Sequence, residues 1–248
     1  MQRFFKTLFA CYMTLVFVAT LLFFLLLILI VSIPNNRKSR KRVWYINRFW
    51  SRLGLLLAGM PIKRIGKWPL GKKKCIIVSN HATYLDALNL YVAIPNYFRP
   101  LGKIELKQYP LFGFIYQQVA VMVDRSSAHS RARSMRIMWR VLKHESSILI
   151  FPEGTFNETD QPLIPFYDGA FRLAVNTQTP IVPIVMPDVV NRWHYDAWWN
   201  MSPGKNRVIY LDPIYPKGTD LQAIKSLKQE VYDAMETALN LYLCEKNK

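Results

Sequence analysis

The stretch Cys75-Ile76-Ile77-Val78-Ser79-Asn80-His81-Ala82-Thr83-Tyr84-Leu85-Asp86 decides the fold. Its first five residues are an apolar run of strand length, and a histidine and a carboxylate follow at once. A second run, Ser147-Ile148-Leu149-Ile150, ends in the same way, on Phe151-Pro152-Glu153-Gly154-Thr155. Short, fully apolar runs read as buried strands of an α/β sheet. Open α/β sheets collect ligands at the carboxyl ends of their strands. A histidine and an aspartate five residues apart at a strand exit can form a base and its orienting partner. A Glu-Gly-Thr turn at a second exit can supply contacts to an acceptor. The spacing does not fit one ideal helix, where five steps of about 100° set the two side chains well apart. It requires a strand-to-helix turn between them.

Outward from these exits, strands are predicted near 75–79, 99–104, 120–124, 147–151, 181–186 and 207–212. Helices are predicted near 84–94, 110–118, 128–144, 168–177 and 220–244. The alternation gives an α/β sheet with helices on its faces. Pro183 places the strand at 181–186 at a bend or near an edge. Residues 63–74 read as a basic connector broken by Pro and Gly. Asp168, before Gly169, is expected to cap a helix through its short acceptor side chain. The loop containing Trp193, His194, Trp198 and Trp199 rests on a membrane, caps a substrate cleft, or is a packing cluster.

Charge is segregated along the 248 residues. Residues 1–85 carry 15 Lys/Arg and no acid, and the remainder carries 18 Lys/Arg against 16 Asp/Glu. Such asymmetry indicates a polyanionic partner, either nucleic acid or an anionic membrane. Leu8 to Ile33 favours the membrane, because roughly 20 apolar residues suffice for a bilayer core. The run is long for a signal peptide and has no small-x-small cleavage site, so a retained anchor is expected, either spanning or dipping into one leaflet. Arg37, Lys38, Arg40, Lys41 and Arg42 put its flank on the cytoplasmic side. Val43 to Met60 reads as an interfacial amphipathic helix, with a core-packing helix as the alternative. The thirteen Lys/Arg from Arg37 to Lys74 could hold the protein on anionic lipid, each contributing about 1 kcal/mol. The domain expectation is therefore an anchor over 1–60 and a catalytic domain over 61–248. Cys11, Cys75 and Cys244 lack metal or disulfide spacing, and there is no phosphate loop or dinucleotide fingerprint.

Taken in order, several blocks resemble the glycerolipid acyltransferase family, and most resemble its bacterial 1-acylglycerol-3-phosphate acyltransferases of the PlsC type. They are Asn80-His81 with Asp86; Gly102-Lys103-Ile104-Glu105-Leu106 with Pro110, Gly113 and Val123-Asp124-Arg125; Phe151-Pro152-Glu153-Gly154-Thr155; and Val182-Pro183-Ile184. The resemblance spans roughly residues 79–187. It implies a mixed α/β sheet flanked by helices, docked on the membrane by N-terminal helices. It assigns His81 as general base and Asp86 as its orienting acid. It gives Glu153, Gly154 and Thr155 to the acceptor site, and Lys103 and Arg125 to the acceptor phosphate. The implied partners are a lysophospholipid acceptor, an acyl-CoA or acyl carrier protein donor, and membrane phospholipid, with no nucleic acid, cofactor or metal. The family's third block continues Glu-Gly-Thr-Arg, and that Arg helps bind phosphate; here the position is Phe156. The acceptor is thus either the lysophosphatidate of the family or another lysolipid, such as a lyso-amino-acid lipid. A non-catalytic module binding anionic membranes is the alternative from another class. A serine hydrolase is disfavoured by the missing nucleophile elbow.

Overall fold

The computed structural model describes residues 2–124 and 126–244. A seven-stranded mixed sheet is built from β1 (Ile62–Ile65), β2 (Ile76–Ser79), β3 (Phe98–Lys103), β4 (Val121–Val123), β5 (Ser147–Ile150), β6 (Ile181–Val185) and β7 (Asn206–Tyr210), in the order β1-β7-β6-β2-β5-β3-β4. β7 runs antiparallel to β6, and β1 runs parallel to β7. The other five strands point the same way, with β2 between β5 and β6. The predicted strand exits of β2 and β5 therefore lie side by side at one edge.

Period-two alternation builds two cores. Ile76 and Val78 face one side with Ile148, Ile150 and Ile181, under helices α5 (Ala128–His144), α6 (Gly169–Thr177) and α8 (Leu221–Cys244). Cys75 and Ile77 face the other side with Leu149, Val182 and Val208, under Leu90 and Tyr91 of α3 (Leu85–Ala93) and Trp44 of α2 (Arg37–Leu57). On α8, Ile224, Leu227, Val231, Met235 and Leu239 recur at helical spacing and are all buried. Burial of each such side chain contributes about 1.5–3 kcal/mol. Helix α4 (Pro110–Val119) and the short α7 (Val189–Arg192) complete the fold.

Three expectations need correction. Residues 62–65 form an edge strand rather than a connector. β6 is an interior strand despite Pro183: beyond the pairs of Ile184 and Val185 with β7, the Pro183 carbonyl accepts Leu211 N–H at 3.1 Å and Ile181 bridges Ile214, so contact on that side continues past the missing N–H. Asp168 stands at the N-terminus of α6 without capping it, and its carboxylate instead bonds Lys228 on α8 at 2.8 Å.

The interfacial helix begins earlier than expected, at Arg37. Asn36 and Ser39 form a reciprocal capping box there. One face of α2 (Val43, Trp44, Ser51, Leu55) is buried against the domain, while Tyr45, Phe49 and Leu56 are exposed. The packing reading describes one face, and the other is exposed. Helix α1 (Gln2–Ser32) lies antiparallel along α2. Phe24 contacts Phe49 and Trp50, Trp50 Nε1 donates to Thr20 Oγ1 at 3.0 Å, and Tyr12 hydroxyl donates to the Leu57 carbonyl at 3.3 Å. By length and composition α1 could cross a membrane, and most of its apolar surface is exposed.

Much of the basic cluster is used inside the fold. Arg48 and Arg64 donate to the carbonyls that end α3: Arg48 to Ile94 at 2.5 Å, and Arg64 to Val92 at 2.8 Å and to Ala93 at 3.3 Å. Arg37 and Lys74 reach the last carbonyls of α5, at His144 and Lys143. Cations at helix C-termini satisfy free carbonyls and complement the dipole. Arg40 forms a bidentate pair with Glu145 at 2.8 and 3.3 Å, and Glu145 also receives Tyr97 and Arg99. Burial alone would raise the Glu145 carboxyl, but Arg40 and Arg99 hold it below its ordinary value. The side chains of the remaining eight of the thirteen, such as Lys38, Arg52 and Lys72, make no hydrogen bond or ion pair with the described residues.

Glu145→Gln should therefore lower folding stability by about 3 kcal/mol, because it leaves buried Arg99 without its counter-charge. Thermal unfolding in detergent would measure this. A variant within about 0.5 kcal/mol of wild type would show that the network is not holding α2 to the sheet.

Candidate active site

β2 ends at Ser79 and α3 begins at Leu85, so residues 80–84 form the strand-to-helix turn that the spacing required. His81 Nδ1 lies 2.8 Å from Asp86 Oδ2. The same oxygen accepts the backbone N–H of Ala82 at 2.7 Å and of Thr83 at 3.0 Å. Asp86 is fully buried in the first turn of α3, where a carboxylate complements the helix dipole. The tautomer that satisfies this contact carries its proton on Nδ1 and leaves Nε2 as an acceptor.

The histidine is held from every side. Its ring stacks on Phe151, with centroids 3.8 Å apart, and meets the edge of Phe156 at 4.4 Å. Its backbone N–H donates to Glu153 Oε1 at 2.8 Å, and its carbonyl accepts from Asn157 N–H at 2.7 Å. Asn80 spans from the exit of β2 to that of β6, exchanging two hydrogen bonds with the Met186 backbone. The phenylalanines, Asn157 and this bridge were not assigned a role from sequence. Asn80 and Phe151 stood inside the quoted blocks, and Phe156 stood out as the departure from the family's Arg.

The other expected residues divide. Glu153 was expected at the acceptor, but it is buried and turned inward. Its second oxygen accepts Ile164 N–H at 3.2 Å, so both oxygens are occupied by backbone donors. Burial raises its carboxyl to about 7, against the hydrogen bonds from His81 and Ile164 and with the help of nearby Asp86. Gly154 takes φ +74°, the left-handed conformation that glycine allows, and its N–H closes the turn onto the Phe151 carbonyl at 3.1 Å. Thr155 is exposed on that turn. Lys103 is exposed at the carboxyl end of β3, next to β5, without touching His81 or Asp86. Arg125 lies outside the described residues.

Two cavities adjoin the histidine turn. One, of about 200 Å³, is lined by Thr83, Tyr84, Phe156 and the 193–198 loop. The other, of about 530 Å³, is almost wholly apolar and runs between α1, α2 and α3, past Phe17, Trp50, Gly54 and Leu88. Tyr84, Trp193 and Trp198 line both. The aromatic loop thus caps the cleft. No Ser or Cys among the described residues lines the smaller cavity. Cys75 is buried under the sheet with its thiol pushed up to about 12, so it is no nucleophile.

The sequence model of the Acyltransferase family matches residues 60–187. The chain belongs to this family. A coconut (Cocos nucifera) 1-acyl-sn-glycerol-3-phosphate acyltransferase is 28% identical over 207 residues, 83% of this chain and 65% of that protein. A protein of the same name from Haemophilus influenzae is 27% identical over 201 residues, 80% of this chain and 82% of that protein. The chain thus spans just under two thirds of the coconut relative's length. The crystal structure of the 1-acyl-sn-glycerophosphate (LPA) acyltransferase PlsC from Thermotoga maritima has the same fold. It superposes with a TM-score of 0.73 at 20% identity, over 97% of this chain and 96% of that one.

The raised Glu153 carboxyl predicts a pH signature. Its folded pKa of about 7 exceeds the ordinary 4.5, so the native state binds the extra proton between those values. Stability from this group is therefore fully present at low pH and declines as pH rises from about 4.5 to about 7, by on the order of 3 kcal/mol. Glu153→Gln should lack that decline. Unfolding free energies of both proteins at pH 5 and pH 8 would test this. An equal pH dependence in the two would show that Glu153 titrates normally.

Proposed function

We propose that this acyltransferase transfers an acyl group from acyl-CoA or acyl carrier protein to the free hydroxyl of 1-acylglycerol-3-phosphate, giving phosphatidate. The observation that carries the reading is the His81–Asp86 contact beside a cleft that, among the described residues, is lined by neither Ser nor Cys. Nε2 of His81 takes the proton of the acceptor hydroxyl. That oxygen attacks the thioester carbonyl, forming the ester bond as the C–S bond breaks. The imidazolium, stabilised by Asp86, returns the proton to the departing thiolate. The names of the relatives support the acceptor. Glu153 acts here as a positioning residue, holding the His81 backbone against the 157–164 loop. Lys103, Gly154, Thr155 and Arg125 are the groups proposed to meet the acceptor and its phosphate.

The apolar cavity is the proposed site of the donor's acyl chain. It touches the catalytic turn at Tyr84 and Leu85 and reaches the exposed helix α1. Both ends of the α1 hairpin contact the catalytic body: Lys6 bonds Asn200 at 2.7 Å, and Asn35 accepts from Gln118 at 2.9 Å. A helix tied at both ends to one body lies in one leaflet rather than across two. We read residues 1–60 as this in-plane anchor, with the catalytic body on the cytoplasmic face beside eight cations whose side chains are unpaired among the described residues.

His81→Ala should lower kcat by about 10²–10⁴-fold with membrane binding retained. Asp86→Asn should keep the geometry and lose most of the rate. Near-normal turnover by folded His81→Ala, with radiolabelled acyl-CoA and lysophosphatidate, would exclude the base mechanism.

Gly54 tests the acyl site. A Cβ at this helical position would meet no atom within 4 Å, so a larger side chain can enter the cavity without displacing backbone. Gly54→Phe should shift the preferred acyl-CoA toward shorter chains by several carbons. An unaltered chain-length profile in a series of saturated acyl-CoAs would place the chain elsewhere.

A further inference from the structure

The smaller cavity is walled by rings where the family carries a cation. We propose that it binds the ammonium of an acceptor headgroup, so that this enzyme also acylates lysophospholipids bearing choline or ethanolamine. The inference rests on the acyl-transfer reading above and adds a second acceptor class to it.

Tyr84, Phe156, Trp193, Tyr195 and Trp198 line this space together with the Glu158 carboxylate. No Lys or Arg among the described residues lines it. Phe156 links the box to the chemistry: its ring lies 4.4 Å from that of His81 and 4.9 Å from that of Tyr84. Tyr84 in turn lies 5.6 Å from Trp193. Glu158 follows on the same turn, which the Asn157 N–H ties to the His81 carbonyl at 2.7 Å. The far wall is braced as well. Trp193 N–H donates to the Val189 carbonyl at 2.9 Å and His194 N–H to the Asn200 carbonyl at 3.0 Å. His194, which also lines the space, keeps its Nδ1 3.0 Å from Asp196.

Aromatic faces carry negative potential and attract cations, most strongly where water is excluded. A quaternary or primary ammonium is the ligand that satisfies several rings and one carboxylate at once. A phosphate monoester, or the phosphates of CoA, would face Glu158 and the ring faces with charge of the same sign. An uncharged chain has the neighbouring cavity, which shares Tyr84, Trp193 and Trp198 but contains no carboxylate. A single substitution at 156, from the family's cation to a ring, thus completes a box suited to the opposite charge.

The test compares three acceptors with the same acyl chain: the phosphate monoester, the phosphocholine and the phosphoglycerol. Choline against glycerol isolates the ammonium, because both are phosphodiesters. In the wild type we expect kcat/KM for choline to exceed that for glycerol by about tenfold. Glu158→Gln and Tyr195→Leu should each bring this ratio down about five- to tenfold. A wild-type ratio at or below one, or a ratio unmoved in both variants, would overturn the proposal. Tryptophan fluorescence reads the site without turnover. Glycerophosphocholine should quench it saturably and glycerophosphoglycerol should not; equal quenching by the two, or none, would likewise overturn the proposal. Loss of turnover on all three acceptors, with selective quenching intact, would remove the acyl-transfer reading and leave the ammonium site standing.

Discussion

The active site depends on one buried oxygen. Oδ2 of Asp86 receives His81 Nδ1, Ala82 N–H and Thr83 N–H, all within 3.0 Å. Such convergence gathers charge-assisted hydrogen bonds on a group fully removed from water, where an unpaired carboxylate would be costly. It folds the turn between β2 and α3 around the carboxylate and sets the histidine tautomer. Because Asp86 rides on α3, anything that moves the helix moves His81, the proposed base. The far end of α3 is accordingly pinned by Arg48 from α2, Arg64 from β1 and the Tyr210 hydroxyl from β7, which bonds the Ala93 carbonyl at 2.7 Å.

That pinning joins the apolar hairpin to the histidine turn. α2 buries one face on the catalytic body, offers Trp50 to α1 with the other, and caps α3 through Arg48. The cavity proposed for the acyl chain lies where α1, α2 and α3 meet, so the same helices that expose apolar surface also shape its walls. The exposed Phe49 and Leu56 of α2 continue the apolar surface of α1. Hairpin and cavity thus adjoin the turn that carries His81, through Tyr84 and Leu85.

The central strands were legible because Ile76, Ile77, Val78 and Ile148 to Ile150 are buried on both faces, and such runs announce themselves in composition. β1 was not, since Ile62 and Ile65 are only half-buried and Lys63 and Arg64 are exposed, as an edge strand permits. The interior place of β6 was hidden because Pro183 loses only its own N–H, while its carbonyl still accepts Leu211 N–H and Ile181 bridges Ile214 on the same side. In the site, the His81–Asp86 pairing was readable from spacing, since it is local. The inward turn of Glu153 was not, because its donors, His81 and Ile164, come from other segments. Asp168 was misread for the same reason: Lys228, sixty residues on, competes with the local cap. The basic third read as one lipid-facing surface, and only tertiary structure separates its helix-capping members from its free ones. Phe156 was visible as a departure, but that it completes a ring-walled space with residues 193–198 was not.

The central claim is that His81 delivers the acceptor hydroxyl directly to the thioester, with no acyl group ever resting on the protein. Intact mass spectrometry of the protein, quenched after incubation with acyl-CoA and no acceptor, tests it most directly. A portion of the same sample, given lysophosphatidate before quenching, serves to establish turnover. The account predicts an unmodified protein mass in the first portion and phosphatidate in the second. A stoichiometric acyl adduct on the protein, chased off by the acceptor, would contradict it.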